Sequence, residues 1–218
     1  MPQGKGRGDE VVSPRSAALV GMIGAAAFAV VAFFLILVQY GFMLGLGWEP
    51  LGASDVPWPS APALGPLGWL QVVSFAFFGL TLIFFAPGLH RGVASSGRLS
   101  WAAPALLVVA GVALVLAAFK TDPHLIQGPQ SWHGAIYLLA FLVLALSFLL
   151  SLFFWWMRFS RDPRWLGYAL YTLITASLYI ALLFASTWQW GFYLFLANVL
   201  TWIELMALQL WRAGACGE

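Results

Sequence analysis

Residues 165–211 read WLGYALYTLITASLYIALLFASTWQWGFYLFLANVLTWIELMALQLW. Apolar runs at 165–187 and 192–211 flank a very short link, Thr187 to Gly191. Each run has about the 20 residues that a rise of 1.5 Å per residue needs to cross roughly 30 Å of hydrocarbon. The link allows only a tight reversal, so the two helices must be antiparallel neighbours. Glu204 is the only charged side chain in the whole stretch. The pattern is that of a membrane hairpin, and it decides the fold class.

The rest of the chain repeats it. Further apolar runs lie near 17–40, 67–89, 101–119 and 134–156. The expected fold is all-α, an integral membrane six-helix transmembrane bundle. Composition agrees, since only 8% of residues are charged against about 25% in a soluble domain. Residues 17–211 read as a single six-span membrane domain. Residues 1–16 are polar with no apolar period and are expected to form a disordered tail. Residues 212–218 form a second short tail. The connection 41–66 holds Pro50, Pro57, Pro59, Pro62 and Pro66, which deny it regular helix. Its Trp48 and Trp58 suggest a loop lying on the end of the bundle; a solvated linker is the plainer alternative.

Charge sets the expected orientation. Nine of the ten Lys and Arg residues fall on one face of the six runs. Lys5, Arg7 and Arg15 precede the first run, and Arg91 and Arg98 follow the second. Arg158, Arg161 and Arg164 follow the fourth, and Arg212 follows the sixth. The other face carries only Lys120. Positive residues stay in the cytoplasm, so the reading is N-in/C-in, multi-pass, in the cytoplasmic membrane. Tryptophans gather at the ends of the runs, at head-group level, where an indole has an apolar body and a wet N–H. Only Trp202 falls inside a run. Basic residues spread along a membrane surface point to membrane lipids, or a membrane protein partner, and not to nucleic acid.

Chemistry has few places to live. Glu204 lies about 5 Å, three residues at 1.5 Å each, from the middle of its run. A carboxylate at that depth is costly unless it faces the bundle interior. Asn198, Thr201 and Gln209 share a broad arc of the same helix. The preceding helix offers Tyr168, Thr172, Thr175 and Tyr179 at spacings that fall on one stripe. These residues are expected to meet Glu204, as a polar seam or as an intramembrane site for a proton or substrate. A second candidate is the cluster Asp122, His124 and His133, with Glu49 and Asp55 from the first long connection. Carboxylates and imidazoles suit zinc, but this spacing is a weak metal pattern. Asp122-Pro123 equally begins a turn, and Ser131 can cap the next helix. No phosphate loop, nucleophile elbow or H-E-x-x-H is present, and no cofactor is expected. His90, His124 and His133 all stand at or beyond helix ends, which disfavours haem. Cys216 is the single cysteine, so no internal disulfide can form.

Two stretches carry a resemblance. Gly65-Pro66-Leu67-Gly68-Trp69-Leu70-Gln71 leads into Phe75-Ala76-Phe77-Phe78-Gly79-Leu80. Phe119-Lys120-Thr121-Asp122-Pro123 is followed by Ser131-Trp132-His133-Gly134-Ala135-Ile136-Tyr137. Together they resemble the bacterial and archaeal membrane proteins of domain-of-unknown-function family 998. The resemblance implies six spans over about 17–211 and motif positions at Asp122, His133 and Gly134. It supplies no catalytic residues. Members that continue W-H-G-x-x-H place two histidines one turn apart; this chain has Tyr137 at the second position, which weakens a metal site.

The leading expectation is a non-catalytic membrane protein that binds or organises lipid or a membrane partner. The alternatives are a membrane-embedded lipid hydrolase using Asp122, His124 and His133, and a small proton-coupled carrier using Glu204.

Overall fold

Ser13 opens the first helix. Its side chain accepts the Ser16 N–H at 3.1 Å, and Pro14 occupies the first turn, where no N–H is needed. Helix α1 then runs Pro14–Val38, three residues ahead of the expected start. The short α2, Tyr40–Gly45, follows, then a 3-10 turn at Ala61–Leu64 and α3, Gly68–Gly92. Next come α4, Ala102–Leu116, and α5, Trp132–Phe159. A second 3-10 turn, Pro163–Trp165, leads to α6, Leu166–Ala185, and α7, Gln189–Ala215, ends the described chain. The structure is a computed structural model that describes residues 13–54, 56, 58–94, 100–124, 128–186 and 188–215.

The described residues form an all-α membrane bundle. Five helices are long and apolar enough to cross a membrane: α1, α3, α5, α6 with its leading turn, and α7. The apolar α4 is shorter, 15 residues or about 22 Å at 1.5 Å per residue. The expected run 101–119 contracts because Ala118 and Phe119 turn back onto Val115 and Leu116, their N–H groups donating over 3.1 Å to those carbonyls.

Packing follows chain order. Helix α1 lies against α3, α3 against α4, α4 against α5, α5 against α6 and α6 against α7. Helix α7 returns to α1, so the six long helices close into a ring. Inside lipid there is no hydrophobic gain from bringing two apolar helices together, so close backbone approach must supply the attraction. Glycine permits this between α3 and α4. A Cβ on Gly79 would stand 2.5 Å from the Gly111 carbonyl oxygen, and one on Gly111 would stand 2.7 Å from that of Gly79. The small residues of α1, among them Gly21, Gly24 and Ala25, likewise turn inward.

Both described termini share one end, with the Arg15 guanidinium 5.9 Å from the centre of the Trp211 ring. We call this the tail end. The opposite, cap end is covered by the first long connection, which is no loose linker. Trp48, Val56, Trp58 and Ala61 are buried there as a second apolar cluster. Trp58 meets Phe192 and Tyr193 edge-on, with ring centres 6.0 and 4.7 Å apart. Two glutamines tie the cap to the helices. Gln39 donates to the Pro62 carbonyl at 3.0 Å and accepts the Leu67 N–H at 3.1 Å. Gln189 accepts the Trp48 indole N–H at 3.3 Å and donates to the Val56 carbonyl at 3.3 Å.

Candidate functional site

The ring of helices leaves a space at its centre. It lies beneath the cap, is partly open, and measures about 90 Å³. All six long helices reach it: Phe28 from α1, Phe78 from α3, Leu114 from α4, Phe148 from α5, Tyr179 from α6 and Phe195 from α7. Nearly all of its wall is hydrocarbon. At the cap end Ser60 and Tyr137 supply hydroxyls, bonded to each other. Tyr137 thus spends its hydroxyl on the cap, at the position where a second histidine would create a metal pair.

The motif Asp122, His133, Gly134 assembles beside this space, in the connection between α4 and α5. Asp122 is buried and its carboxylate accepts three hydrogen bonds. Oδ2 accepts the N–H groups of Gln130 at 2.7 Å and Ser131 at 3.1 Å, and Oδ1 accepts the Ser131 hydroxyl at 2.7 Å. The Ser131 hydroxyl, then the two backbone N–H groups, hold the Asp122 carboxyl below its ordinary range. Ser131 Oγ also accepts the Gly134 N–H at 3.0 Å, so it caps α5 as its position suggests. His133 Nδ1 lies 2.8 Å from the Lys120 carbonyl and 2.9 Å from Ser131 Oγ. A carbonyl only accepts, so Nδ1 carries a proton and donates it there. Gly134 is required here: a Cβ on it would lie inside the Asp122 carboxylate. The expected approach of Asp122 and His133 is therefore made through Ser131. The order is carboxylate, hydroxyl, imidazole, with the hydroxyl committed to the carboxylate, which is a helix cap and not an activated nucleophile.

The other members of that candidate cluster do not complete it. Among the described residues no three His, Cys, Asp or Glu side chains lie close enough to hold a metal ion. Asp55 lies outside the described residues.

The intramembrane candidates separate into two groups. Thr172 and Thr175 are fully buried on α6. Asn198 of α7 donates to the Thr175 carbonyl at 3.1 Å, and the Trp202 indole donates to Thr172 Oγ1 at 3.0 Å. Gln209 donates to the Arg164 carbonyl at 3.3 Å. Tyr168 packs on Trp165, with ring centres 5.6 Å apart. The expected bond from Thr172 or Tyr168 to Glu204 does not form. Glu204 follows Trp202 by two residues, about 200° round the helix, and lies half-buried against the α1 backbone at Ala26. Thr201 is exposed on the same outward side. The reason is ring closure: α7 has α6 on one flank and α1 on the other, and its polar arc is wide enough to be shared between them. The seam between α6 and α7 is real, but Glu204 is not in it.

A family comparison matches residues 59–211 to "Protein of unknown function (DUF998)". The chain belongs to this family. The matched region runs from the cap through α7 and so contains the Asp122 motif, the Ser60–Tyr137 pair and most of the cavity wall. No curated protein and no solved structure is significantly similar to this DUF998 chain.

One polar centre escaped sequence reasoning altogether. Arg158, read as one more positive charge in a connection, is only 7% exposed, at the tail end of α5. It donates to the carbonyls of His90 at 2.6 Å, Val93 at 2.7 Å and Ser100 at 3.1 Å, and bonds to His90 Nδ1 as well. Its guanidinium lies 5.3 Å from the centre of the Trp155 ring. Asp162 works beside it, accepting the Ala94 N–H at 3.0 Å and the Arg164 side chain at 3.0 Å. The Arg164 guanidinium pulls the Asp162 carboxyl down to about 2. Only the adjacency of Arg158 to a run of aromatics hinted that this charge was buried.

Proposed function

We propose that the chain is a non-catalytic membrane protein that takes part of the hydrocarbon chain of a membrane lipid into the centre of its bundle. One observation carries this reading: the central space is walled by apolar side chains from all six long helices and lies under a folded cap. An apolar void forfeits the dispersion contacts of every atom that lines it. In a bilayer the nearest filler is an acyl chain, which restores those contacts without desolvating anything polar. The Asp122–Ser131–His133 network fixes the start of α5, and so places Tyr137 and Phe141 on the cavity wall.

The test is to fill the space. Ala145 lines it with a methyl group only. The full chain, purified from membranes in mild detergent, is expected to carry co-purifying lipid in native mass spectrometry. Ala145→Phe should reduce that lipid at least tenfold while leaving helicity unchanged. Equal lipid on both proteins would overturn the proposal.

The same reading places both tails in the cytoplasm and the cap outside, supported by the nine-to-one split of Lys and Arg. Reporter fusions at Arg15 and Arg161 should read inside, and those at Asp55 and Gln127 outside. An inside signal at Asp55 defeats this orientation.

A further inference from the structure

Glu204 is the single acidic residue of the long helices. Among the described residues no side chain hydrogen-bonds to it, and its one polar neighbour is the α1 backbone at Ala26. Thr201, one turn away, is exposed, and its hydroxyl makes no hydrogen bond either. A hydroxyl against lipid ordinarily bonds back to its own helix. Ser177, exposed on α6, does so, donating to the Leu173 carbonyl at 3.0 Å. At spacings of four, three and four, Ala197, Thr201, Glu204 and Leu208 form one stripe along α7. Ala197 and Thr201 on this stripe, and Ala26 beside it on α1, are small and exposed. The surface between α7 and α1 thus offers the bilayer an acceptor and a donor, neither of them used. A carboxyl in hydrocarbon is costly, and such side chains almost always turn to protein or water. About 5 Å from the middle of its run, Glu204 is too deep for phospholipid head groups to reach.

We propose that this face joins two copies of the chain about a two-fold axis along the membrane normal, with Thr201 of each copy donating to Glu204 of the other. The surface is self-complementary. One donor and one acceptor stand three residues apart on the same stripe, and a two-fold axis pairs them twice. Both copies keep one orientation in the membrane, so α7 meets α7 in parallel and like residues come to like depth. Helical side chains lean towards the N-terminus of their helix, so the Glu204 carboxyl hangs over the turn that carries Thr201. Donor and acceptor then stand at one height. A carboxyl oxygen accepts whether or not the group is protonated, so the contact needs no charge in the hydrocarbon. Ala26 and Ala197 leave room for backbones to approach, which is the source of attraction between helices in lipid. An acyl chain on the same face brings no donor. The surface lies outside the ring and is independent of the central space.

The experiment places the full chain in phosphatidylcholine vesicles and counts copies by single-molecule photobleaching as the protein is diluted in lipid. Wild type is expected to pass from pairs to single copies over that dilution. Glu204→Leu should weaken the pair about tenfold, or about 1.4 kcal/mol. Thr201→Val, which removes only the hydroxyl, should weaken it to a similar extent, and the double variant should be no weaker than either. Glu204→Gln keeps an acceptor oxygen and should stay paired. Neither residue bonds to a side chain of its own copy, so yield and helicity should not change. Oxidative cross-linking locates the contact. With Cys216→Ala removing the natural thiol, Ala197→Cys should cross-link to a second copy at least tenfold more than Val109→Cys, exposed on α4 across the ring. Single copies of wild type at every dilution would overturn the proposal. So would a Glu204→Leu pair as tight as wild type, equal cross-linking at both cysteines, or capture of a different protein by Ala197→Cys in native membranes.

Discussion

Gly134→Ala is expected to abolish most of the folded protein. The new methyl group would occupy the place of the Asp122 carboxylate, which must then leave three donors. Hydrogen bonds to a charged acceptor are worth about 1.5–3 kcal/mol each, so even partial loss costs on the order of 4 kcal/mol. That is a large part of the 5–15 kcal/mol that separates a typical folded domain from its unfolded chain, taken here as a rough guide. The check is a thermal melt and the yield of monodisperse protein in detergent. A cycle with Asp122→Ala identifies the cause. Removing the carboxylate first makes room for the methyl group, so the two losses should be far from additive. Additive losses would show that Gly134 serves something other than Asp122.

The second large effect is expected at Arg158. Arg158→Met keeps the length and apolar stem but strips the donors from the His90, Val93 and Ser100 carbonyls. Each buried carbonyl left without a donor costs roughly 1–3 kcal/mol, so the three together cost several. Arg158→Lys should recover little. Three donors on a point cannot reproduce a planar fork that spans carbonyls on both sides of a connection. Melting curves of the two variants, set beside Arg161→Met at an exposed position, separate this from a general effect of charge. Equal melting of all three would refute the role of Arg158 in joining α3, α4 and α5.

Much of the fold was legible because the bilayer makes it so. Length and apolarity alone located the helices, since within a single run such as 165–187 only a helix satisfies the backbone in lipid. Ser131 announced its cap by residue type and position. The partners of Glu204 were not legible. The direction of a side chain depends on which neighbour each flank of α7 meets, and only ring closure fixes that. Arg158 was misread for a related reason: charge counting treats every arginine in a connection alike.

The cap has a consequence for how the molecule is made. Trp48 bonds to Gln189, a residue 141 positions later in the chain. The first long connection is therefore synthesised well before Gln189, the second of the two glutamines that fasten it, exists. At roughly 5–20 residues per second, the wait is on the order of ten seconds. During that time Trp48 and Trp58 lack the ring of helices that will bury them. Insertion of the last hairpin then closes the circle of helices and latches the cap in one event, so a chain truncated before Gln189 leaves both undone.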